Sequence, residues 1–301
     1  MSFSTDIKEE LSKITNLANK NNVKAEFIGY LTTTNIVVIN QKKIKFSTES
    51  EYNINRFAKL LNNLQINKYE ISIQGKTFTI TVSLQNSNIT EEVQIQDKKI
   101  KIDFNKLKEF IKNDENMSKS IARGTFLGSG SVNNPEKKYH LEVNFSSEEN
   151  ANYIEEILKQ IGIQSKGLKK DNNEYSIYFK DGEEISKFLA FIGANSAVLK
   201  FEDIRVLREM RNNVNRVVNC ETANLNKTID AALKQIEDIK LIKSKNKFGE
   251  LSDALQEIAE LRIQNPDVSL IELGKMLKNP VGKSGVNYRL KAIAKMANEL
   301  R

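Results

Sequence analysis

Two separated stretches of this chain repeat each other at a common distance. "AEFIGYL" at 25–31 aligns with "GTFLGSG" at 124–130, and "IKFSTESE" at 44–51 aligns with "VNFSSEEN" at 143–150, both shifted by 99 residues. One short match can arise by chance, but an offset shared by two marks a duplication. After one inserted residue, Ile54, Phe57 and Leu61 fall on Ile154, Ile157 and Ile161, and "YEISI" at 69–73 falls on "EYSIY" at 174–178. The copies cover about 1–105 and 106–216. A duplicated chain must fold around a pseudo-two-fold axis and pack equivalent elements against each other where the halves meet.

Each copy reads as helix, strand pair, helix, strand pair, helix. "NIVVINQKKIKFS" gives two strands around an "NQ" turn, and Thr48 with Glu51 three residues on predicts a capping box for the helix "ESEYNINRFAKLLNNL". "YEISIQGKTFTITVSL" alternates strictly around a "QGK" turn. Phe78, Ile80, Val82 and Leu84 take one face, and Thr77, Thr79, Thr81 and Ser83 the other. The second copy follows with "YHLEVNFSS", the helix "NANYIEEILKQIG" ending at Gly162, and "LKKDNNEYSIYFKDGEEISKFLAFIG". The expected fold class is α+β for residues 1–216, followed by an all-α domain over 217–301.

The stretch "IARGTFLGSGSV" at 121–132 carries three glycines in an otherwise helix-compatible run. Each costs about 1 kcal/mol relative to Ala in a helix, so the backbone must be bare there for a reason. An anion cradle is one reason, but the Lys-Ser/Thr of a P-loop and the strand-turn-helix of a dinucleotide site are missing. A close helix crossing at the seam is the other, with Gly29 and Gly128 as equivalents. "ARGTFLGSGSV" resembles the LAGLIDADG motif of homing endonucleases. There, a helix from each repeat packs on its twin and delivers an acidic residue to a divalent metal. The resemblance places Gly124 at the helix glycine, Leu127 at the first acidic position and Ser129 at the metal-binding aspartate, with Tyr30 in the first copy's corresponding place. A hydroxyl and a phenol cannot give a hard cation the anionic oxygens it needs. No catalytic residue, no metal and no cofactor are therefore expected.

The remaining chemistry-bearing residues narrow the classes further. The single cysteine, Cys220, and single histidine, His140, exclude a disulfide framework and a Cys/His zinc cluster. His140 alternates with Leu141, Val143 and Phe145, which puts it on the polar side of a strand. No apolar leader or membrane-length segment is present, so the expected location is the cytoplasm, with no membrane partner. The net charge of +7 suggests a polyanionic partner, although Lys, Asn and Ile are all so abundant that the distribution of charge matters more than its sum. In "RVLREMRNNVNR", Arg205, Arg208 and Arg211 recur at helical spacing with Arg216 following, four of the chain's nine arginines. They form either a secondary basic face for DNA or a salt-bridged helix face.

From about Asn224 the character changes. "NLNKTIDAALKQIEDIKLI" places Leu225, Ile229, Leu233 and Ile236 on one helical face, and the basic "KSKNK" at 243–247 follows as a loop. A helix over about 251–264 carries Leu251, Leu255, Ile258 and Leu261 and stops before Pro266. The next opens at Ser269 with Glu272 as a capping box, runs through Leu273 and Met276, and ends at "NP". Gly274 within it predicts a close crossing by the following helix. That third helix starts after Ser284 and buries Val286, Leu290, Ile293 and Ala297, turning Asn287, Tyr288, Lys291, Lys295 and Asn298 outward. Residues 275–301 hold seven Lys/Arg against one acid, Glu299. This is the pattern of a helix-turn-helix, motif about 269–300, whose second helix enters the major groove. Lys283, Arg289 and Lys291 are expected on phosphates, with Lys295 on the same face. Ser284, Asn287 and Tyr288 are expected near base edges.

A degenerate LAGLIDADG domain followed by "SLIELG", "KSGVNYRL" and the upstream "NCETANLNKT" is similar to the WhiA family of bacterial regulators over essentially the whole chain. The resemblance implies a DNA-binding transcription regulator, linked to sporulation in filamentous actinobacteria and to cell division and chromosome segregation in other Gram-positive bacteria. It implies loss of both metal carboxylates as well. Double-stranded DNA is the expected partner, with nucleoid association and a second regulatory protein on the first domain. The alternative is a nucleoid-associated or division-linked protein with weak sequence preference, acting through contacts of its first domain.

Overall fold

The computed structural model describes residues 2–85, 89–112, 114–170 and 174–301. Two compact units divide the chain, Met1–Glu209 and Met210–Arg301. The first unit opens with α1 (Phe3–Ser12). Its first copy is α2 (Lys20–Leu31), β1 (Ile36–Asn40), β2 (Lys43–Thr48), α3 (Glu51–Asn63), β3 (Tyr69–Gln74) and β4 (Thr77–Ser83). A hairpin, β5 (Val93–Gln96) and β6 (Lys99–Ile102), and the short α4 (Phe104–Ile111) lead to the second copy. That copy is α5 (Glu115–Ser129), β7 (Ser131–Val132), β8 (Leu141–Phe145), α6 (Glu148–Gln160), β9 (Lys166–Lys169), β10 (Tyr175–Phe179) and α7 (Gly182–Ile192). The hairpin is an addition that the repeat pattern did not predict.

The two four-stranded sheets share one strand order, β1-β2-β4-β3 and β7-β8-β10-β9, as a duplication requires. In both, alternation aims one set of side chains at the helices. Ile44, Phe46, Ile80 and Val82 are buried in the first sheet, and Leu141, Val143, Phe145, Ile177 and Phe179 in the second. Tyr30, Phe46 and Phe57 meet edge-on or tilted with centroids 4.9–5.3 Å apart, the packing their ring quadrupoles favour.

Helices α2 and α5 cross at the centre, and here glycine is required. A Cβ on Gly124 would stand 2.0 Å from the Glu26 carbonyl oxygen, and one on Gly29 2.3 Å from that of Ile121. Gly29 therefore meets Gly124 on the pseudo-axis. Gly128, its expected equivalent, faces the Thr33 side chain instead. The ends of the crossing are tied by a reciprocal exchange. Asn53 on α3 donates to the Leu127 carbonyl at 2.7 Å, and Asn150 on α6 donates to the Thr32 carbonyl at 3.1 Å. Each amide satisfies a carbonyl that the end of the opposite copy's helix leaves without an intrahelical partner.

These contacts correct the register of the repeat. Gly29 with Gly124, and Thr32 with Leu127, are 95 residues apart. From the strands onward α3, capped by Ser50, answers α6, capped by Ser147, residue for residue at a shift of 97, and the sheet pairings fit the same shift. The edge strand β3 corresponds to β9, so "YEISI" is not the counterpart of "EYSIY", which forms the inner strand β10. Two local expectations also move. Asn40 pairs with Lys43, leaving Gln41 and Lys42 as the turn. The N-cap of α3 is Ser50, whose hydroxyl accepts from the Asn53 N–H, while Thr48 accepts from the Ser50 N–H.

The helix α8 (Asn195–Ser244) runs from the first unit into the second and contains both 216 and 217. In the second unit its last turns join α9 (Asp253–Gln264), α10 (Leu270–Lys275) and α11 (Lys283–Glu299). Ile239, Ile242, Ile258, Leu273, Leu277, Val286, Leu290 and Ile293 form the core. The apolar face expected at Leu225, Ile229 and Leu233 is exposed instead; Ala232, Ile239 and Ile242 supply the buried positions. Arg262, in the last turn of α9, is buried and donates to the Val268 and Asn265 carbonyls beyond the helix. Burial lowers its pKa from the ordinary value.

Candidate nucleic-acid interface

The homing-endonuclease likeness directs attention first to the C-terminal ends of α2 and α5, where a nuclease would hold its metals. With the seam in its true register, the counterpart of Ser129 is Thr34, not Tyr30. Tyr30 is fully buried, its hydroxyl donating to Asn53 Oδ1 at 2.6 Å, and burial pushes its pKa well up. The Ser129 hydroxyl donates to the Asn144 carbonyl at 2.5 Å and accepts from the Asn144 N–H at 3.0 Å, while Asn35 donates to the Gly128 carbonyl at 2.7 Å. Of these bonds the one from Asn35 to Gly128 joins the two halves, while Tyr30 and Ser129 are each held within their own half. Neither Thr34 nor Ser129 is a carboxylate.

Below them the seam holds a buried ion cluster. Glu26 receives Arg56 in a two-pronged bond, Nε to Oε1 at 2.7 Å and Nη2 to Oε2 at 2.8 Å, and Arg123 reaches Oε2 at 3.3 Å. Burial opposes the Arg56 charge, but its bond to Glu26 prevails and raises its pKa. At Arg123 burial prevails and lowers it. Both guanidinium groups also donate to carbonyls, Arg56 to Ile14 and Arg123 to Ile192, so the cluster staples the packing around the seam.

On the outward sheet faces part of the charge is paired and part is not, with Lys166 opposite Tyr178 exposed. Glu142 binds Lys170 at 2.6 Å and lies 3.4 Å from His140, which precedes β8 and stacks on Tyr178. Burial works against the Glu142 charge, but hydrogen bonds from Lys170, Ser176 and His140 prevail and hold its pKa below the ordinary value. Lys43 and Lys45 are exposed, as are the apolar Val37 and Ile39 of the neighbouring strand. On α8, Arg205 binds Glu202 at 3.1 Å. Arg208 donates to the Pro135 carbonyl at 2.6 Å and lies 4.3 Å over the Tyr139 ring. Arg211 and Arg216 are exposed.

The C-terminal pair of helices differs. The Ser269–Glu272 capping box is complete, with the Ser269 N–H and hydroxyl on Glu272 Oε2 at 3.1 and 2.8 Å. These bonds lower the Glu272 pKa. At Gly274 the close neighbour is the carbonyl of Val281 in the connecting turn, 2.2 Å from where a Cβ would stand; Val286 of the next helix lies at 3.0 Å. Helix α11 starts at Lys283 with Gly282 as N-cap, so Ser284 lies within its first turn and does not cap it.

Val286, Leu290, Ile293 and Ala297 face the core. At 100° per residue, Ser284, Asn287, Tyr288, Lys291 and Lys295 fall within one arc of about 100° on the other side. All five are exposed, Tyr288 at 77%. The exposed Lys283 borders this arc, whereas the half-buried Arg289 falls about 150° from its centre, beside the buried Ile293. None of these seven side chains has a hydrogen-bond or ion-pair partner among the described residues. Arg301, counted among the basic residues by sequence, is used within the fold on Asp238 at 2.6 Å. Sequence reasoning missed that role because Asp238 lies far upstream, on α8.

Comparison with known proteins finds matches to two family models. The profile of the WhiA C-terminal HTH domain matches residues 214–297, and that of the WhiA LAGLIDADG-like domain matches 118–211. A protein of Clostridium beijerinckii described as a probable cell division protein WhiA is 38% identical, covering 100% of this chain and 99% of its own length. One of Clostridium tetani with the same description is 39% identical over 100% and 98%. Among solved structures, full-length WhiA from Thermotoga maritima is similar at a TM-score of 0.59 and 27% identity, covering 99% of each chain. The isolated N-terminal LAGLIDADG domain of a WhiA protein gives 0.52 and 26%, over 64% of this chain and 90% of that one.

Proposed function

Because the chain belongs to the WhiA family, we propose that it is a DNA-binding transcription regulator of cell division and chromosome segregation. It reads duplex DNA through α11 and has no nuclease activity. The observation that carries this reading is the exposed arc of Ser284, Asn287, Tyr288, Lys291 and Lys295, free of intramolecular partners beside a rigidly capped α10. With α11 in the major groove, Lys283, Arg289, Lys291 and Lys295 hold phosphates and set the register. Ser284, Asn287 and Tyr288 approach base edges, where an amide can read adenine and a hydroxyl can serve as donor or acceptor. Residues 1–216 act as a positioning or protein-interaction module, the seam having converted the former metal site into packing. Arg205, Arg208 and Arg211 provide at most a secondary contact, two of them being held within the fold.

Two measurements test this. In competition binding, a specific regulator keeps its site ~10³-fold or more tighter than unrelated duplex. Equal competition by bulk DNA would replace it with a nucleoid-associated protein of weak sequence preference. Prolonged incubation of supercoiled plasmid with Mg²⁺ should leave it intact, and metal-dependent nicking would overturn the non-enzymatic reading.

A further inference from the structure

The helix α8 carries between Leu207 and Leu225 an apolar row left uncovered among the described residues. Leu207, Met210, Val214, Val218 and Leu225 are each between 52% and 61% exposed. Exposed apolar side chains scattered singly need no explanation, but a straight row of them does. From Leu207 to Leu225 the row is about 27 Å long at 1.5 Å per residue. Two charged residues stand in the same row, Arg211 and Glu221, both exposed and without an ion pair among the described residues.

Their order is what identifies the occupant. Leu207, Arg211, Val214, Val218, Glu221 and Leu225 are separated by steps of 4, 3, 4, 3 and 4 residues, the heptad spacing of a two-helix seam. Read backwards, the steps are the same, and the residue types match except that Arg and Glu exchange places. We propose that α8 pairs antiparallel with α8 of a second copy of this chain, about a two-fold axis near Arg216. Leu207 then lies on Leu225 of the partner subunit, Val214 on Val218 of the partner subunit, and Arg211 on Glu221 of the partner subunit. Each contact occurs twice, as an isologous interface demands. A parallel pair would put Arg211 on Arg211 and Glu221 on Glu221, so the charges select the antiparallel arrangement. They also make the row self-complementary, which an arbitrary apolar helix would not match.

Sedimentation velocity of the full chain without DNA, over a concentration series, tests the pairing. Wild type should show a reversible monomer–dimer equilibrium. Arg211→Glu sets Glu against Glu, and Glu221→Arg sets Arg against Arg. Each should weaken dimerisation about tenfold or more while leaving the helical signal unchanged, because both positions are exposed. An equimolar mixture of the two variants faces opposite charges at both contacts and should recover the dimer, as should the double exchange within one chain. A wild-type chain that stays monomeric throughout, or variants that dimerise as wild type does, would overturn the proposal. So would a mixture that stays monomeric.

Discussion

The seam between α2 and α5 and the outward face of α11 are built on opposite rules for polar side chains. At the seam every named group has a partner inside the protein: Tyr30 on Asn53, Asn53 on Leu127, Asn150 on Thr32, Ser129 on Asn144, and two arginines on Glu26. On α11 the polar and basic side chains of the exposed arc have none. Buried polar groups must be satisfied or they cost stability, whereas exposed ones left without partners remain available to a ligand. At the seam the polar groups are turned inward, and on the outer face of α11 they are turned out. Binding chemistry is accordingly sought on the helical half.

Substitutions can break this contrast, beginning with the seam. Gly124→Leu places a Cβ and its branches against the Glu26 backbone, and no flexible side chain can yield there. A loss above about 4 kcal/mol is expected, in the range of the most disruptive core changes, visible as loss of the cooperative thermal transition of the first unit. Glu26→Ala leaves Arg56 and Arg123 buried without their anion and should cost about 3–5 kcal/mol, read by urea denaturation. Lys8 gives a gain instead. Burial brings its pKa down to about 8 from 10.5, with Glu49 opposing the shift. The unfolded chain therefore binds this proton more tightly, so the penalty is complete below pH 8 and fades as pH rises toward 10.5. Lys8→Met should stabilise by roughly 2 kcal/mol at neutral pH, with a flatter stability profile between those limits. Ser269→Ala removes the α10 cap and should cost about 1 kcal/mol. Smallest of all, Asn287→Ala or Tyr288→Ala should change stability by less than about 0.5 kcal/mol, yet weaken DNA binding and relax its sequence preference. A large stability loss there would mean that α11 is a packing surface like the seam.

The duplication was legible in sequence, but its register was not, for a physical reason. The offset of 99 that aligns Phe27 with Phe126 differs from the true 95 by one turn of helix. The 99 that aligns Phe46 with Phe145 differs from the true 97 by one strand period. Shifts of one period return similar residues to the same face, so composition cannot separate them. Only the contact of Gly29 with Gly124 and the reciprocal Asn53 and Asn150 bonds do so. The exposed face of α11 was legible because its buried residues, Val286, Leu290, Ile293 and Ala297, recur cleanly at helical spacing. On α8 the helical spacing of Leu225, Ile229 and Leu233 was legible, but their exposure was not. Periodicity reports that a face wants covering, not which chain covers it.

The proposed function requires positive charge to act on α11 and not on the old sheet face. Its sharpest test is the salt dependence of duplex binding by the full chain, measured by fluorescence anisotropy for wild type, Lys291→Ala/Lys295→Ala and Lys43→Ala/Lys45→Ala. The slope of log K against log salt should fall by about 0.9 for each lost phosphate contact, hence by nearly two for the α11 pair and not at all for the sheet pair. If the sheet pair flattens the slope and the α11 pair does not, the LAGLIDADG-like unit still holds the DNA, and α11 is not the reader.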